Sequence, residues 1–109
     1  MQLGYVKFNQ LNAQASGTGT PVRMDGYTML RVSIEASAAL SAGTLIVEEA
    51  ESENATNWST LTTVSLATPF ASAGGLYVNH YPEASYAFVR TRIGTSVVGG
   101  TISTWIGAA

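Results

Sequence analysis

Apolar residues in this chain recur at every second position and hardly ever at helical spacing. Residues 27–35 are the clearest case. Leu30, Val32 and Ile34 fall on one side of an extended chain, and Arg31, Ser33 and Glu35 on the other. Similar runs rich in Val, Ile, Thr and Tyr cover 3–11, 21–24, 44–49, 58–66, 76–79, 86–93 and 101–106. Turn signals separate them. Residues 12–20 are small, polar and turn-like, Asp25-Gly26 is a turn, and 51–57 is a polar loop. Residues 68–75 hold Pro69 and a Gly-Gly pair, 82–85 turn the chain, and 94–100 form the last loop. Residues 36–42 have good helix formers but are too few for a stable helix, so they read as a loop. Seven or eight short strands at this spacing predict an all-β fold, an antiparallel β-sandwich that is jelly-roll-like.

At 109 residues the chain has room for one core, so residues 1–109 read as a single domain. Residues 1–20 read as an extended N-terminal arm. Only 11% of residues are charged, where an average domain has about 25%. With 46% apolar residues and a net charge of −2, disorder is not expected. Five basic residues give no phosphate-binding footprint, so no nucleic-acid partner is expected. No apolar stretch is long enough to span a bilayer, and the opening residues lack the pattern of a secretory leader, so no membrane partner is expected. The absence of cysteine excludes disulfides and thiolate chemistry. Lysine is the usual guard of a sheet edge, and Lys7 is the only lysine, so covered edges are expected.

Residues 27–34 echo residues 86–93, with Tyr, Arg and Ile at matching offsets. Each run is followed by a small-residue loop and a Gly-Thr pair, Gly43-Thr44 and Gly100-Thr101. The echo equates Leu30, Val32 and Ile34 with Val89, Thr91 and Ile93 as buried faces. It reads as two similar hairpins facing each other across a core, or as chance similarity between amphipathic strands.

Little in the sequence points to catalysis. Glu48, Glu49, Glu51 and Glu53 form the densest charge, but lack the residue order of a calcium loop. A solvated acidic hairpin turn is the stronger reading over acid–base work on a glycoside. His80 has no acid near it in sequence and no nucleophile elbow, so it reads as a loop or interface histidine. Gly17-Thr18-Gly19 and Gly74-Gly75 read as turns, since neither has a P-loop ending or a following helix. Trp58 is expected to pack under the acidic turn and Trp105 to close the sandwich end. Tyr77 and Tyr81 are candidates for surface contacts, with sugar stacking as the competing use of the aromatics. Arg90 and Arg92 fall opposite Val89, Thr91 and Ile93. They are expected to face solvent or a neighbour's glutamate-rich turn. No acid, base and nucleophile set converges, so neither an enzyme nor a cofactor or metal is expected.

Residues 43–59 run from a Gly-Thr strand through an acidic, Ser-rich turn to Asn57-Trp58. Residues 86–93 form a Tyr-x-x-Val-Arg-x-Arg strand, and 100–106 a closing Gly-Thr strand. This pattern, over about two-thirds of the chain, resembles small β-sandwich proteins of tailed-bacteriophage virions, which occur as capsid decoration (cement) proteins and as tail or fibre modules. Related sandwich patterns occur in bacterial carbohydrate-binding modules. The chain departs from the pattern at Asn54-Ala55-Thr56, where an Asp-Gly turn is more typical. The resemblance implies a virion structural protein on the outer capsid surface, made in the host cytoplasm. It implies partners in further copies of the chain, as a homotrimer, and in the major capsid protein or other virion proteins. A tail or fibre component, or a module engaging host glycans, is the alternative. The residues expected to meet partners are Tyr5, Lys7 and Phe8 in the N-terminal arm, Tyr77, Tyr81, Arg90 and Arg92.

Overall fold

The structure is a computed structural model and describes residues 6–27, 29–81 and 87–108, except the side chains of Val6, His80 and Tyr81. Eight strands lie among them: β1 (Val6–Gln14), β2 (Val22–Arg23), β3 (Leu30–Ala36), β4 (Ala42–Ala50), β5 (Ser59–Ser65), β6 (Gly75–Tyr81), β7 (Phe88–Val98) and β8 (Ile102–Ala108). They form two four-stranded sheets, β1-β8-β3-β6 and β2-β7-β4-β5, with every pairing antiparallel. The sheets bury their facing sides against each other, which is a jelly-roll sandwich.

Period-two alternation places the core as the sequence implied. Leu30, Val32 and Ile34 of β3 are buried, as are Val89, Thr91 and Ile93 of β7. Leu45 and Val47 of β4, Ile102 and Ile106 of β8, Leu11 of β1 and Val64 of β5 join them, and Met24, Leu40, Leu66 and Phe70 from the connecting segments complete much of the core. The echo between β3 and β7 has a structural meaning, but not as two hairpins. Only β4 and β5 are consecutive neighbours in one sheet, and every other connection crosses between sheets. Mapping β2, β3, β4 and β5 onto β6, β7, β8 and β1 converts each sheet's order into the other's. The echo therefore follows a two-fold equivalence in the strand order, in which β3 and β7 take corresponding places.

Three loop assignments change. Residues 94–100 were expected to be a loop, yet β7 continues through Val98, because Thr95, Val97 and Val98 are β-branched and their backbone groups find partners. The Thr95 N–H donates to Thr44 Oγ1 at 2.8 Å and the Val97 N–H to the Ala15 carbonyl at 2.9 Å. Gly94 is there for space rather than a turn: a Cβ at this position would lie 2.7 Å from Ile46 Cδ1. Residues 12–20 are not one turn. Residues 12–14 complete β1, and 15–20 lie along β7, where the Ile93 N–H donates to the Gly17 carbonyl and the Gly19 N–H to the Thr91 carbonyl. The extended arm expected over 1–20 is thus, from Val6 onward, strand β1 paired with β8 and a segment laid on β7. His80 lies in strand β6, opposite Arg31, rather than in a loop.

One buried polar contact ties the two sheets together. Thr91 Oγ1 of β7 and Thr104 Oγ1 of β8 are hydrogen-bonded at 2.9 Å, and both residues are fully buried. Thr91→Val strands the Thr104 hydroxyl and should cost about 1–3 kcal/mol in urea unfolding. Thr104→Val should cost less, because Thr91 Oγ1 keeps a 3.5 Å approach to Gln10 Oε1. The double variant should recover most of the loss, and a double-mutant cycle showing plain additivity would count against this coupling.

Candidate functional site

A jelly roll has two open sides, where edge strands of the two sheets face each other. Here β1 and β2 flank one side, and β5 and β6 the other. The β1/β2 side holds a groove of about 730 Å³. Phe8, Pro21, Val22 and Tyr27 supply its apolar lining, and Lys7, Arg23 and Asp25 its charges. The Arg23 Nε–Asp25 Oδ2 pair at 2.8 Å is largely exposed, so it contributes little to stability. Gln10 closes the bottom of the groove by bridging the sheets. Its Oε1 accepts from the Thr91 N–H at 2.9 Å, and its Nε2 donates to the Thr20 carbonyl. Gly19 makes this bridge possible, because a Cβ there would overlap the Gln10 amide.

The β5/β6 side holds a smaller groove of about 440 Å³, lined by Thr62, Val64, Pro69, Tyr77 and Asn79. On the outer face of the first sheet, Trp105 sits in register between Asn9 and Ser33. With Lys7, Arg31, Ser33, Glu35 and Leu76 it lines a concavity of about 230 Å³. Trp105 therefore lies mid-sheet, not at the sandwich end.

The second sheet carries an ion cluster on its outer face. Glu48 of β4 stands opposite Arg90 of β7 in register, next to Ile46–Arg92. The Arg90 Nε donates to Glu48 Oε1 at 2.8 Å. Arg92 donates from Nε to the same oxygen at 3.1 Å and from Nη2 to Oε2 at 3.5 Å. Glu48 is only 3% exposed. The Arg90 guanidinium carbon lies 4.0 Å from the centroid of the Trp58 ring, a cation–π contact that roofs the carboxylate. The Trp58 Nε1–H donates to the Ala55 carbonyl, so the acidic turn holds the ring in place.

These contacts correct several expectations. Arg90 and Arg92 engage Glu48 of their own chain rather than a neighbour's turn. Glu48 is buried in β4, Glu49 is half-buried, and only Glu51 and Glu53 of the acidic group are exposed. Tyr77 is in strand β6, half-buried against the core, because its register with Ile34 turns it toward the sandwich interior. The seven expected contact residues do not form one site. Lys7 and Phe8 line the β1/β2 groove, Tyr77 the opposite side, and Arg90 and Arg92 an outer face. Tyr5 and the Tyr81 side chain lie outside the described residues. Among the described residues no three His, Cys, Asp or Glu side chains are placed to hold a metal ion, and no helix is long and apolar enough to cross a membrane.

No protein-family model matches the sequence, and no curated protein matches it. Among solved structures, the crystal structure of the SPBc2 prophage-derived protein YomS is similar, with a TM-score of 0.61 at 17% identity. The likeness covers 100% of this chain and 97% of that one, and it is a likeness of fold.

Two substitutions test the electrostatics. Glu48→Ala leaves two guanidiniums facing each other and should destabilise by about 2–3 kcal/mol in chemical unfolding. Arg92→Ala should cost less than about 1 kcal/mol, since its side chain is 36% exposed and Arg90 still covers the carboxylate. Glu49 behaves in the opposite sense. Its Oε2 is buried with no hydrogen-bond partner among the described residues. Burial first, and then the Glu51 charge, raise its pKa above the usual value. A carboxyl raised in the folded state loses stability as pH rises through the carboxylate range. Glu49→Gln should therefore raise the melting temperature at neutral pH, with the gain vanishing in acid where the wild-type group is protonated.

Proposed function

We propose that this chain is a non-enzymatic structural protein of a tailed-phage virion, a capsid decoration protein that binds the lattice as a homo-oligomer and stabilises it. The observation that carries the reading is the fold likeness, end to end, to a prophage-derived protein. The sequence pattern shared with small virion sandwich proteins points the same way. In this reading the mechanism is passive. Each copy covers a joint between capsid subunits, and many modest contacts sum over the particle. The β1/β2 groove fits the lattice contact: Phe8, Val22 and Tyr27 give an apolar floor, and Lys7 and Arg23 a basic rim.

Trp105 favours one alternative. An indole set among Lys7, Arg31, Ser33 and Glu35 offers a flat apolar face beside hydrogen-bonding groups, which suits a sugar ring. A tail or fibre module engaging host glycans would use that face.

The test is co-sedimentation of the purified protein with tailed-phage heads that lack it, and the heat resistance of the loaded heads. Saturable binding with raised heat resistance is expected, and Lys7→Glu with Arg23→Glu should weaken it at least about tenfold. Heads that bind nothing would retire the decoration reading. Glycan-array binding abolished by Trp105→Ala would then install the alternative.

A further inference from the structure

The outer face of the first sheet gathers charge and exposed carbon around one indole. Lys7 of β1, Gly107 of β8 and Arg31 of β3 lie side by side in register. Glycine has no side chain, so nothing from β8 stands between the two cations. In the next outward-facing row Trp105 of β8 lies beside Ser33 of β3. One row further, Glu35 lies between Ser103 and Leu76. Leu76 is 62% exposed, an apolar side chain left in water on the edge strand β6. Both cations, the indole, Ser33, Glu35 and Leu76 line the same concavity of about 230 Å³. Pockets for drug-sized ligands run to about 300–1,000 Å³, so this one suits a single ring, alone or as one unit of a chain. Its charge also runs against that of the whole: two cations and one carboxylate, in a chain of net charge −2.

We propose that this concavity binds a sugar ring that bears a carboxylate, stacked on Trp105 with its acid toward Lys7 and Arg31. The inference rests on the glycan reading of the Trp105 face, which it narrows to acidic sugars, and it is independent of the lattice contact. The indole and Leu76 offer apolar surface to the C–H face of a pyranose. Lysine and arginine side chains carry donors and no acceptor, and a carboxylate accepts from them in charge-assisted hydrogen bonds. Glu35, when ionised, only accepts. It therefore takes hydroxyl donors, which a sugar has in number and a flat aromatic acid lacks. The Ser33 hydroxyl serves either role. Arg31 and Glu35 are four residues apart on β3, about 13 Å of strand. The acid and the hydroxyls of one ring thus meet opposite ends of the site, with Trp105 between them, and this fixes which way the ring lies.

The experiment is calorimetric titration of the purified protein with trigalacturonate and, in parallel, with the neutral trisaccharide of galactose. It is done without heads, since Lys7 also lines the β1/β2 groove. The acidic trisaccharide should bind at least about tenfold tighter than the neutral one, and added salt should erase most of that preference. Lys7 is exposed, so Lys7→Gln should keep the fold and weaken only the acidic ligand. Trp105→Ala should abolish binding of both. Arg92→Gln, on the outer face of the other sheet, should change neither. If Trp105→Ala loses its far-UV sheet spectrum, Lys7→Glu locates the site instead, by turning the preference toward the neutral sugar. Equal affinity for the two trisaccharides at Trp105 overturns the proposal and leaves the glycan reading standing. Binding of neither at millimolar concentration sinks both. Acidic binding that survives Trp105→Ala, or a nucleoside monophosphate that displaces trigalacturonate at lower concentration than galacturonate does, also overturns it.

Discussion

Strands β8 and β3 in one sheet, and β7 and β4 in the other, are hydrogen-bonded along both edges and bury one face each. Everything else is arranged around these four. The hydrophobic effect acts on their inner faces, where Leu30, Leu45, Val89, Ile102 and Ile106 are completely excluded from water. Their backbone polar groups are satisfied largely within the sheets, and beyond the short β2 the free edge of β7 is satisfied by the Gln10 side chain and by residues 15–19. That division leaves the outer faces and open sides free to carry contacts.

Polar groups inside this frame are few, and Thr91, Thr104 and Glu48 are each placed where they are satisfied. Gln10 supplies a side-chain acceptor to the Thr91 N–H, beyond the two residue pairs that β2 makes with β7. Glu48 is buried only because two arginines and a tryptophan close over it from the next strand and the acidic turn. A carboxylate in such a place is tolerable when every neighbour is a donor or a cation. Glu49, one residue on, has no such company and is held at a cost in its ionised form.

The sequence carried the strands and their inward faces plainly, because period-two alternation is a local property. Leu30, Val32 and Ile34 could be assigned without knowing what they touch. Partnerships could not. Glu48 lies 42 residues from Arg90, and no local rule joins them. The glycines misled for a related reason. Gly94 looks like a breaker, yet it makes room for Ile46 on a strand remote in sequence. Gly19 looks like part of a turn, yet it admits the Gln10 amide. The echo between 27–34 and 86–93 was legible as a repeat of pattern. Whether its halves were hairpins or sheet-crossing strands depended on connections that composition does not encode. Of the expected contact residues, Lys7 and Phe8 could be placed near an edge from the sequence. The inward turn of Tyr77 follows from its register with Ile34, which only the folded sheet fixes.

The position of β8 has a consequence for how the molecule comes into being. It is last in sequence order, yet it lies between β1 and β3 and is the bond between them. Until β8 is synthesised, the first strand has no hydrogen-bonded neighbour in its own sheet, and β3 has one bare side. A nascent chain thus holds open edges throughout its elongation and cannot close the sandwich strand by strand. With nearly every connection crossing between sheets, closure is a late and collective event, slowed by the entropy of joining distant segments.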